Sequence, residues 1–249
     1  MNDRATSHGD RPVAAGDRPV AMISGATGGL GRVLAADLAA DGWGLALLGS
    51  SEERLDELIA QLELPGERGL AATADLRDAA AAGRAVEAAY ERFGHVDGLA
   101  HLVGGWTGGT NVVDTADEPF VEMLDQHLWT SLNVTRALVP RMVAAGRGRI
   151  VAVTTPIAGA PEAGMGAYAV GKAAEETLFA TLAQELVGTG VTVNVVRVRA
   201  IDTRQRRDDD PDKDTDKTTP EEICAAIRYL FSDAARVVNG QRIGLHSGI

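Results

Sequence analysis

The sequence predicts an α/β fold, a single domain in which a doubly wound parallel sheet carries helices on both faces. Two observations lead to this prediction. From Val20 onward, short apolar runs alternate with longer amphipathic segments, which is the pattern of strands joined by crossover helices. The 249 residues, 45% of them hydrophobic, suit one large α/β domain with a sizeable core and exclude a globally disordered chain.

Seven apolar runs are predicted to be strands, at residues 20–24, 45–48, 69–73, 98–103, 149–154, 192–196 and 242–245. Six amphipathic segments between them are predicted to be helices, at residues 30–40, 52–62, 79–93, 119–145, 168–186 and 220–231. In a sheet of this kind, ligands bind beyond the carboxyl ends of the strands. The segments that follow each strand are therefore where functional residues are expected.

The two polar segments of the chain are predicted to lie outside the packed core. Residues 9–14 are repeated as residues 16–21, and only the second copy runs into a strand, so we expect residues 1–17 to form a disordered extension of a domain at 18–249. Between Asp202 and Lys217 the chain has seven acids and five bases around Pro211. Since this segment follows the sixth strand on the binding side, residues 202–219 are predicted to be a flexible substrate lid.

Charge and composition exclude several kinds of partner. Lys and Arg number 24 against 35 Asp and Glu, which gives a net charge of −11, and such a surface repels nucleic acid. No apolar run approaches the ~18 residues of a membrane span, and the N-terminus has no signal-peptide stretch. The single Cys224 cannot form an internal disulfide and is expected to be a buried apolar side chain. We expect a cytoplasmic protein that binds neither nucleic acid nor membrane.

A glycine cluster follows the first predicted strand. Glycine makes up 29 of the 249 residues, about 12% against a usual ~7%, and part of the excess lies in Ser24-Gly25-Ala26-Thr27-Gly28-Gly29-Leu30-Gly31-Arg32. Glycine permits a tight turn and lets phosphate approach backbone N–H groups, and the next helix directs its positive end at the anion. The segment predicts a dinucleotide site with contacts from Gly25, Thr27, Gly29, Leu30 and Gly31.

The end of the second strand bears on which dinucleotide binds. An acid there would bind the ribose 2′-hydroxyl of NAD, but this chain has Gly49-Ser50-Ser51. The small residues Ser50 and Ser51 leave room for a 2′-phosphate, so NADP is predicted, with NAD the less favoured cofactor. Arg54, one turn further on, is either a phosphate contact or an exposed helix residue.

Tyr168 and Lys172 lie four residues apart at the start of a predicted helix and so share one face. A phenol has an ordinary pKa near ~10, and a neighbouring ammonium lowers it, which makes the pair suitable for acid–base catalysis. On spacing alone, an ordinary surface tyrosine beside a solvated lysine is the favoured interpretation.

The segment from Ser24 to Gly31, followed by Tyr168-x-x-x-Lys172, resembles the short-chain dehydrogenase/reductase family, and the similarity extends over nearly the whole chain from Val20. The resemblance implies a single Rossmann-like domain, assembled as a dimer or tetramer. It implies that Tyr168 exchanges a proton with the substrate oxygen during hydride transfer. It also implies that Lys172 holds the nicotinamide ribose and lowers the pKa of the tyrosine.

The same resemblance implies further cofactor contacts. Asp75 and Leu76, after the third strand, resemble the adenine contact of the family. Gly104 matches the last glycine of its fourth-strand motif, and Ile201 and Thr203 match the segment that reaches the nicotinamide amide.

Several positions depart from the family pattern. Thr155 stands where the catalytic serine is expected, and Thr154 takes that place if the loop is shifted by one residue. His127 stands where the family has a helix asparagine that helps to hold a water. It either preserves a backbone contact or supplies a titratable group, or else it is a packed helix residue. After the fourth strand, His101-Leu102-Val103-Gly104 replaces the usual Asn-Asn-Ala-Gly and keeps only its final glycine. Val198-Arg199 replaces the Pro-Gly after the sixth strand.

These residues support an NADP-dependent oxidoreductase that transfers hydride to or from a carbonyl/alcohol substrate. Tyr168 is the predicted acid/base, Lys172 its partner and Thr155 the group that orients the carbonyl. The alternative is a catalytically impaired dinucleotide-binding or redox-sensing protein, which the changes at His101, His127 and Val198-Arg199 favour. We expect a small-molecule substrate and a homo-oligomer; no pattern suggests a metal.

Overall fold

The computed structural model describes residues 18–203 and 217–245. Residues 1–17 of the predicted extension and residues 204–216 of the predicted lid lie outside the described residues. The described chain forms a seven-stranded parallel sheet with helices on both faces. This architecture confirms the predicted fold class.

The strands of the large sheet coincide with the predicted apolar runs. They are β1 (Val20–Ser24), β2 (Gly44–Gly49), β3 (Gly69–Thr73), β4 (Gly98–His101), β5 (Gly148–Thr154), β6 (Val191–Arg197) and β9 (Arg242–Gly244). Their order is β3-β2-β1-β4-β5-β6-β9. The order reverses between β1 and β4, and ligands bind at such a switch point, beyond the carboxyl ends of the strands. A separate parallel pair, β7 (Ala200–Ile201) with β8 (Lys217–Thr218), was not predicted.

The helices pack in two layers. They are α1 (Gly29–Ala40), α2 (Glu52–Gln61), α3 (Ala79–Phe93), α4 (Asp117–Leu124), α5 (Thr130–Ala145), α6 (Gly166–Glu185) and α7 (Pro220–Phe231). One face of the sheet is covered by α1, α2 and α7, and the other by α3, α5 and α6. All five residues of β1 are buried, because a central parallel strand contacts both layers and is therefore apolar throughout.

The region predicted as one helix at residues 119–145 is interrupted. It begins at Asp117, and a π-helical turn at Asp125–Trp129 separates α4 from α5. A π-helical turn widens the helix locally, and such turns are frequent at functional sites. Here the turn contains His127, whose side chain is fully buried. Apolar periodicity does not reveal such a turn, because the polar and apolar faces continue on both sides of it.

Cys224 lies buried on α7, as predicted. Burial raises the pKa of its thiol to about 12, and the negative charges of Asp37 and Glu221 act in the same direction. Across residues 18–203 and 217–245, none of the helices combines the length and the apolar character needed to cross a membrane.

Candidate active site

The glycine-rich turn connects β1 to α1 at the carboxyl edge of the sheet. Gly25 has a φ of +78°, and a Cβ there would lie 3.0 Å from the backbone of Leu102. A Cβ on Gly31 would lie 2.4 Å from the carbonyl oxygen of Gly25, so both positions require glycine. Gly28, the N-cap of α1, makes no side-chain capping bond. Because glycine has no side chain to cap the first N–H groups of α1, these groups can bind an anion.

A cavity of about 230 Å³ lies beside this turn. Among the predicted contacts, it is lined by Gly25, Thr27, Ser50, Asp75 and Leu76. The Asp75 carboxylate forms a bidentate pair with Arg77, and the hydrogen bond from this guanidinium lowers the pKa of Asp75.

Ser51 does not line this cavity, unlike Ser50. It is the N-cap of α2, and its hydroxyl accepts a hydrogen bond from the backbone N–H of Arg54 at 3.3 Å. Substituting such a cap costs about 1 kcal/mol of stability. A structural use thus accounts for Ser51, whereas Ser50 lines the cavity.

A second cavity, of about 450 Å³, is also lined by the glycine turn. It brings together these predicted residues from distant parts of the chain: Gly25, Gly29, Leu30, Gly31, Gly104, His127, Tyr168, Lys172, Ile201 and Thr203. Gly105, Trp106 and Arg199 complete part of its wall. Both cavities include Gly25 and Val103 in their linings. An elongated dinucleotide fits this arrangement, because the start of α1 lines the second cavity and Gly25, in the turn before it, lines both.

Lys172 is held at the base of the second cavity. Its ammonium donates to the carbonyl oxygen of Val153 at 3.1 Å and to the Glu175 carboxylate at 2.8 Å. Since an ammonium has three N–H donors, these two bonds leave one for a ligand oxygen. The side chain is only 7% exposed, so its direction is fixed by these partners.

Tyr168 lies one turn before Lys172 on α6 and is largely buried. Burial raises the pKa of the phenol above its ordinary value, and the negative charge of Glu175 adds to the rise. The ammonium of Lys172 and a hydrogen bond with Thr155 act in the opposite direction. Because burial is the largest of these effects, the phenol is protonated at neutral pH.

The two threonines after β5 differ in their surroundings. Thr155 interacts with Tyr168, and its hydroxyl also accepts from the N–H of Ile157 at 3.5 Å. Thr154 lines the second cavity, and its buried hydroxyl has no hydrogen-bond partner among the described residues. The contact with Tyr168 therefore belongs to Thr155, the residue that sequence counting favoured.

His127 both makes a backbone contact and packs as a buried helix residue, which are two of the three roles that the sequence left open. Its Nε2 lies 3.1 Å from the carbonyl oxygen of Gly105, and because a carbonyl only accepts, Nε2 carries the proton. The imidazole packs edge-on against Tyr168, with the ring centroids 5.7 Å apart. Burial and the charge of Lys172 lower the pKa of His127 to about 3. The imidazole is therefore neutral. Its Nδ1 lies 4.0 Å from the Glu175 carboxylate, but the two groups do not form an ion pair at neutral pH.

His101, which replaces an asparagine of the family pattern, is a second buried neutral histidine. Its Nδ1 lies 2.7 Å from the Ser24 hydroxyl and its Nε2 3.3 Å from the Thr130 hydroxyl. Burial lowers the pKa of His101 to about 3, and the charge of Lys172 adds to this effect. It connects β1, β4 and α5 beneath the cavity and is a structural residue.

Sequence reasoning missed one group of the site, Glu175. It lies three residues after Lys172, which places the two side chains on the same helix face. A glutamate three residues after a lysine on a predicted helix was the sequence signal that could have revealed this pair. The importance of Glu175 depends on complete burial, which arises where α4 and the π-helical turn pack against α6 and Ser131 of α5 contacts the carboxylate.

Comparison with known proteins agrees with this geometry. A model of the short chain dehydrogenase family matches residues 19–214. The oxidoreductase UcpA of Salmonella typhimurium is 35% identical over 248 residues, covering 92% of this chain and 93% of that protein.

Two solved structures share the fold. An NAD⁺-bound xylitol dehydrogenase has a TM-score of 0.84 at 20% identity, covering 96% of this chain and 100% of that one. An NADPH-bound short chain oxidoreductase from Pseudomonas aeruginosa PAO1, described as containing an atypical catalytic center, has a TM-score of 0.83 at 24% identity. That match covers 93% of this chain and 96% of the other.

The fold and the family match define the class of a short-chain oxidoreductase. The chain belongs to the short-chain dehydrogenase/reductase family. It is an oxidoreductase of that family, which confirms the resemblance noted in the sequence.

Proposed function

We propose that this protein is an NADP-dependent oxidoreductase that interconverts a small carbonyl compound and its alcohol, with Tyr168 as the acid/base. The observation that carries the proposal is a single cavity lined by the glycine turn, Tyr168 and Lys172. The turn is suited to a phosphate, and the pair is suited to proton transfer. A carbonyl group that enters this cavity meets both.

A bound nicotinamide cofactor supplies or accepts the hydride. In the reducing direction Tyr168 donates its phenolic proton to the oxygen that develops negative charge, and in the oxidising direction the phenolate takes the proton of the alcohol. Lys172 uses its remaining N–H to hold a ribose hydroxyl, and its positive charge stabilises the phenolate. Thr155 orients the carbonyl oxygen beside Tyr168. Burial favours the protonated phenol, which suits the reducing direction at neutral pH.

The preference for NADP rests on the end of β2. Ser50 lines the first cavity where an acid would select NAD, and a small hydroxyl residue accommodates a phosphate. The two solved structures compared above are an NAD⁺-bound and an NADPH-bound protein. Dissociation constants of the purified protein for NADPH and NADH therefore test this part separately. A clear preference for NADH would overturn it.

A panel of carbonyl substrates, with NADPH consumption as the readout, tests the reaction. We expect Tyr168→Phe to lower turnover by about 10²–10⁴-fold, the range that a positioned acid–base group contributes. Binding of NADPH, followed by fluorescence, should be largely retained, because the phenylalanine keeps the ring and loses only the hydroxyl.

The matched control is Tyr229→Phe. Tyr229 is 48% exposed on α7, outside both cavities, and its loss of a hydroxyl should leave turnover unchanged. Equal turnover in Tyr168→Phe and the wild type would reject the assigned role. NADPH binding without consumption of any substrate would favour the second function, a non-catalytic dinucleotide-binding protein. The replacements at His101 and His127 are the observations that support this alternative.

The proposal also includes a cytoplasmic homo-oligomer, either a dimer or a tetramer. Apolar side chains are exposed on α4, on the π-helical turn and on α6: Val121 is 56%, Trp129 45% and Val170 45% exposed. Exposed apolar residues of this kind are covered in oligomers. Light scattering of the purified protein tests this, and a monomer at all concentrations would contradict it.

A further inference from the structure

A buried carboxylate stands directly behind the proposed acid/base pair. The Glu175 side chain has no exposed surface, and its Oε2 lies 2.8 Å from the Lys172 ammonium. Its Oε1 lies 3.4 Å from the hydroxyl of Ser131 on α5. A buried acid is costly unless it is paired and hydrogen-bonded, and Glu175 is both. The chain therefore retains a charge within reach of its reactive groups.

The surroundings of Glu175 and Tyr168 include few other titratable groups. Lys172 faces both from the same helix, and His127 faces both from the π-helical turn. Thr155 contacts Tyr168, while Glu176, the next residue along α6, adds its negative charge to the field at Glu175. Because His127 is neutral, the charge balance at the phenol depends on Lys172 and Glu175.

This arrangement has two consequences. First, the carboxylate and the carbonyl of Val153 use two of the three donors of Lys172, which fixes the direction of the ammonium. Second, a carboxylate 2.8 Å from an ammonium partly compensates its charge, so the phenol experiences a weaker positive field than an unpaired lysine would give. Glu175 thereby opposes the ionisation of Tyr168 while holding its partner in position.

We propose that Glu175 is a positioning residue that holds the Lys172 ammonium and keeps Tyr168 protonated, so that the site is set for proton donation to a carbonyl. This inference rests on the proposed role of Tyr168. It makes Glu175 a further determinant of the reaction, although the carboxylate acts through Lys172.

The test uses two neighbouring glutamates, because both are buried and charge-paired on α6. Glu176 pairs with Arg197 and Arg242 and does not line either cavity. The chain has three tyrosines, so the full-length protein labelled with ¹³Cζ-tyrosine gives three resonances, and Tyr168→Phe assigns the one of interest. Its pH titration in the absence of cofactor reports the ionisation directly.

We expect Glu175→Gln to move the titration of Tyr168 to lower pH by about one unit, the lower end of the effect of a nearby charge. Glu176→Gln should leave it unchanged. In the reducing direction, the alkaline fall of kcat/KM should move by the same amount in Glu175→Gln alone. Coincident Tyr168 titrations in the wild type and Glu175→Gln would overturn the inference.

Two further readouts keep the result decisive. Should Glu175→Gln not fold, Glu175→Asp keeps the charge but shortens the side chain by one methylene, and it should give a smaller shift in the same direction. Failure of both Glu175 variants to fold, with Glu176→Gln folded, would overturn the proposal in favour of a structural role. Since the NMR titration needs no turnover, a failed search for a substrate would count against the proposed function and not against this inference.

Discussion

The surroundings of Glu175 and of Glu176, two adjacent residues of α6, are built differently. Glu175 lies in the cluster around Lys172 and His127, where every member is nearly or fully buried. Glu176 lies where α6 meets β6 and β9, between Arg197 and Arg242, whose side chains are 23% and 46% exposed. We call Glu175 with Lys172 and His127 the site cluster, and Glu176 with Arg197 and Arg242 the structural cluster.

The difference lies in how completely polar groups are paired. In the structural cluster, Glu176 accepts from both guanidinium groups. In the site cluster, His127 Nδ1 and the hydroxyl of Thr154 are buried without a hydrogen-bond partner among the described residues. An unmade hydrogen bond of this kind costs about 1–3 kcal/mol, and folds tolerate such costs mainly at functional sites. Since Arg149 Nε and the Thr192 hydroxyl, both away from the site, are also buried without a described partner, what distinguishes these two clusters is the complete pairing of Glu176.

The largest expected effect comes from removing the cation of each cluster. Lys172→Met should lower turnover by about 10²-fold or more, because the phenolate of Tyr168 loses its partner. Arg197→Met should leave kcat unchanged and destabilise the fold by about 1–3 kcal/mol through the lost charged hydrogen bonds.

Steady-state kinetics and urea unfolding of the two variants measure these effects. Lys172 pairs with Glu175 and Arg197 pairs with the adjacent Glu176. Both substitutions put methionine in place of the paired cation, so each variant is the control for the other. A large loss of kcat in Arg197→Met would remove the distinction between the clusters.

The next effect is the acid sensitivity of the site cluster. The pKa values of His101 and His127 are lowered to about 3 in the fold from an unfolded value near 6.5. Between these values the unfolded chain binds more protons, so this contribution to stability is complete above pH 6.5 and is lost as the pH falls. The slope is about 1.4 kcal/mol per pH unit for each histidine.

Glu175 has the opposite effect on the pH dependence of stability, because burial raises its pKa. Comparing the wild type with a variant that lacks His127 isolates the contribution of the histidine. In His127→Asn the loss of stability between pH 6 and 5 should be smaller than in the wild type by about 1.4 kcal/mol. Denaturant unfolding at each pH measures this, with the two proteins showing parallel behaviour at pH 7–8. Equal slopes at acid pH would show that His127 does not titrate on unfolding.

The smallest effect concerns the two threonines after β5. Thr154→Val removes a buried hydroxyl that has no described partner, so the free energy of unfolding should stay within about 1 kcal/mol of the wild type or rise. Thr155→Val removes the group that bonds Tyr168 and should lower kcat by about tenfold, roughly the worth of one hydrogen bond to a charged group. Thermal unfolding and kinetics measure both. A greater loss of kcat in Thr154→Val would assign the substrate-orienting role to Thr154.

Most of the fold could be predicted from local patterns. The strand β1 and the helix α3 fall on the predicted residues because continuous apolar runs and amphipathic periodicity reflect burial directly. The π-helical turn at Asp125–Trp129 could not be predicted, since its extra residue leaves the pattern on either side intact. The pair β7–β8 is two residues long on each side, too short to produce a periodic signal.

The sequence by itself determined the class of this protein. Gly25 and Gly31 are required by contacts within a few residues or with one neighbouring strand, and Tyr168 and Lys172 are placed on one face by the helix repeat alone. The tertiary structure decided what the charges do. The burial of Glu175 and the neutrality of His127 arise where α5, α6 and the π-helical turn meet, because desolvation depends on every element packed around a group and not on its neighbours in the chain.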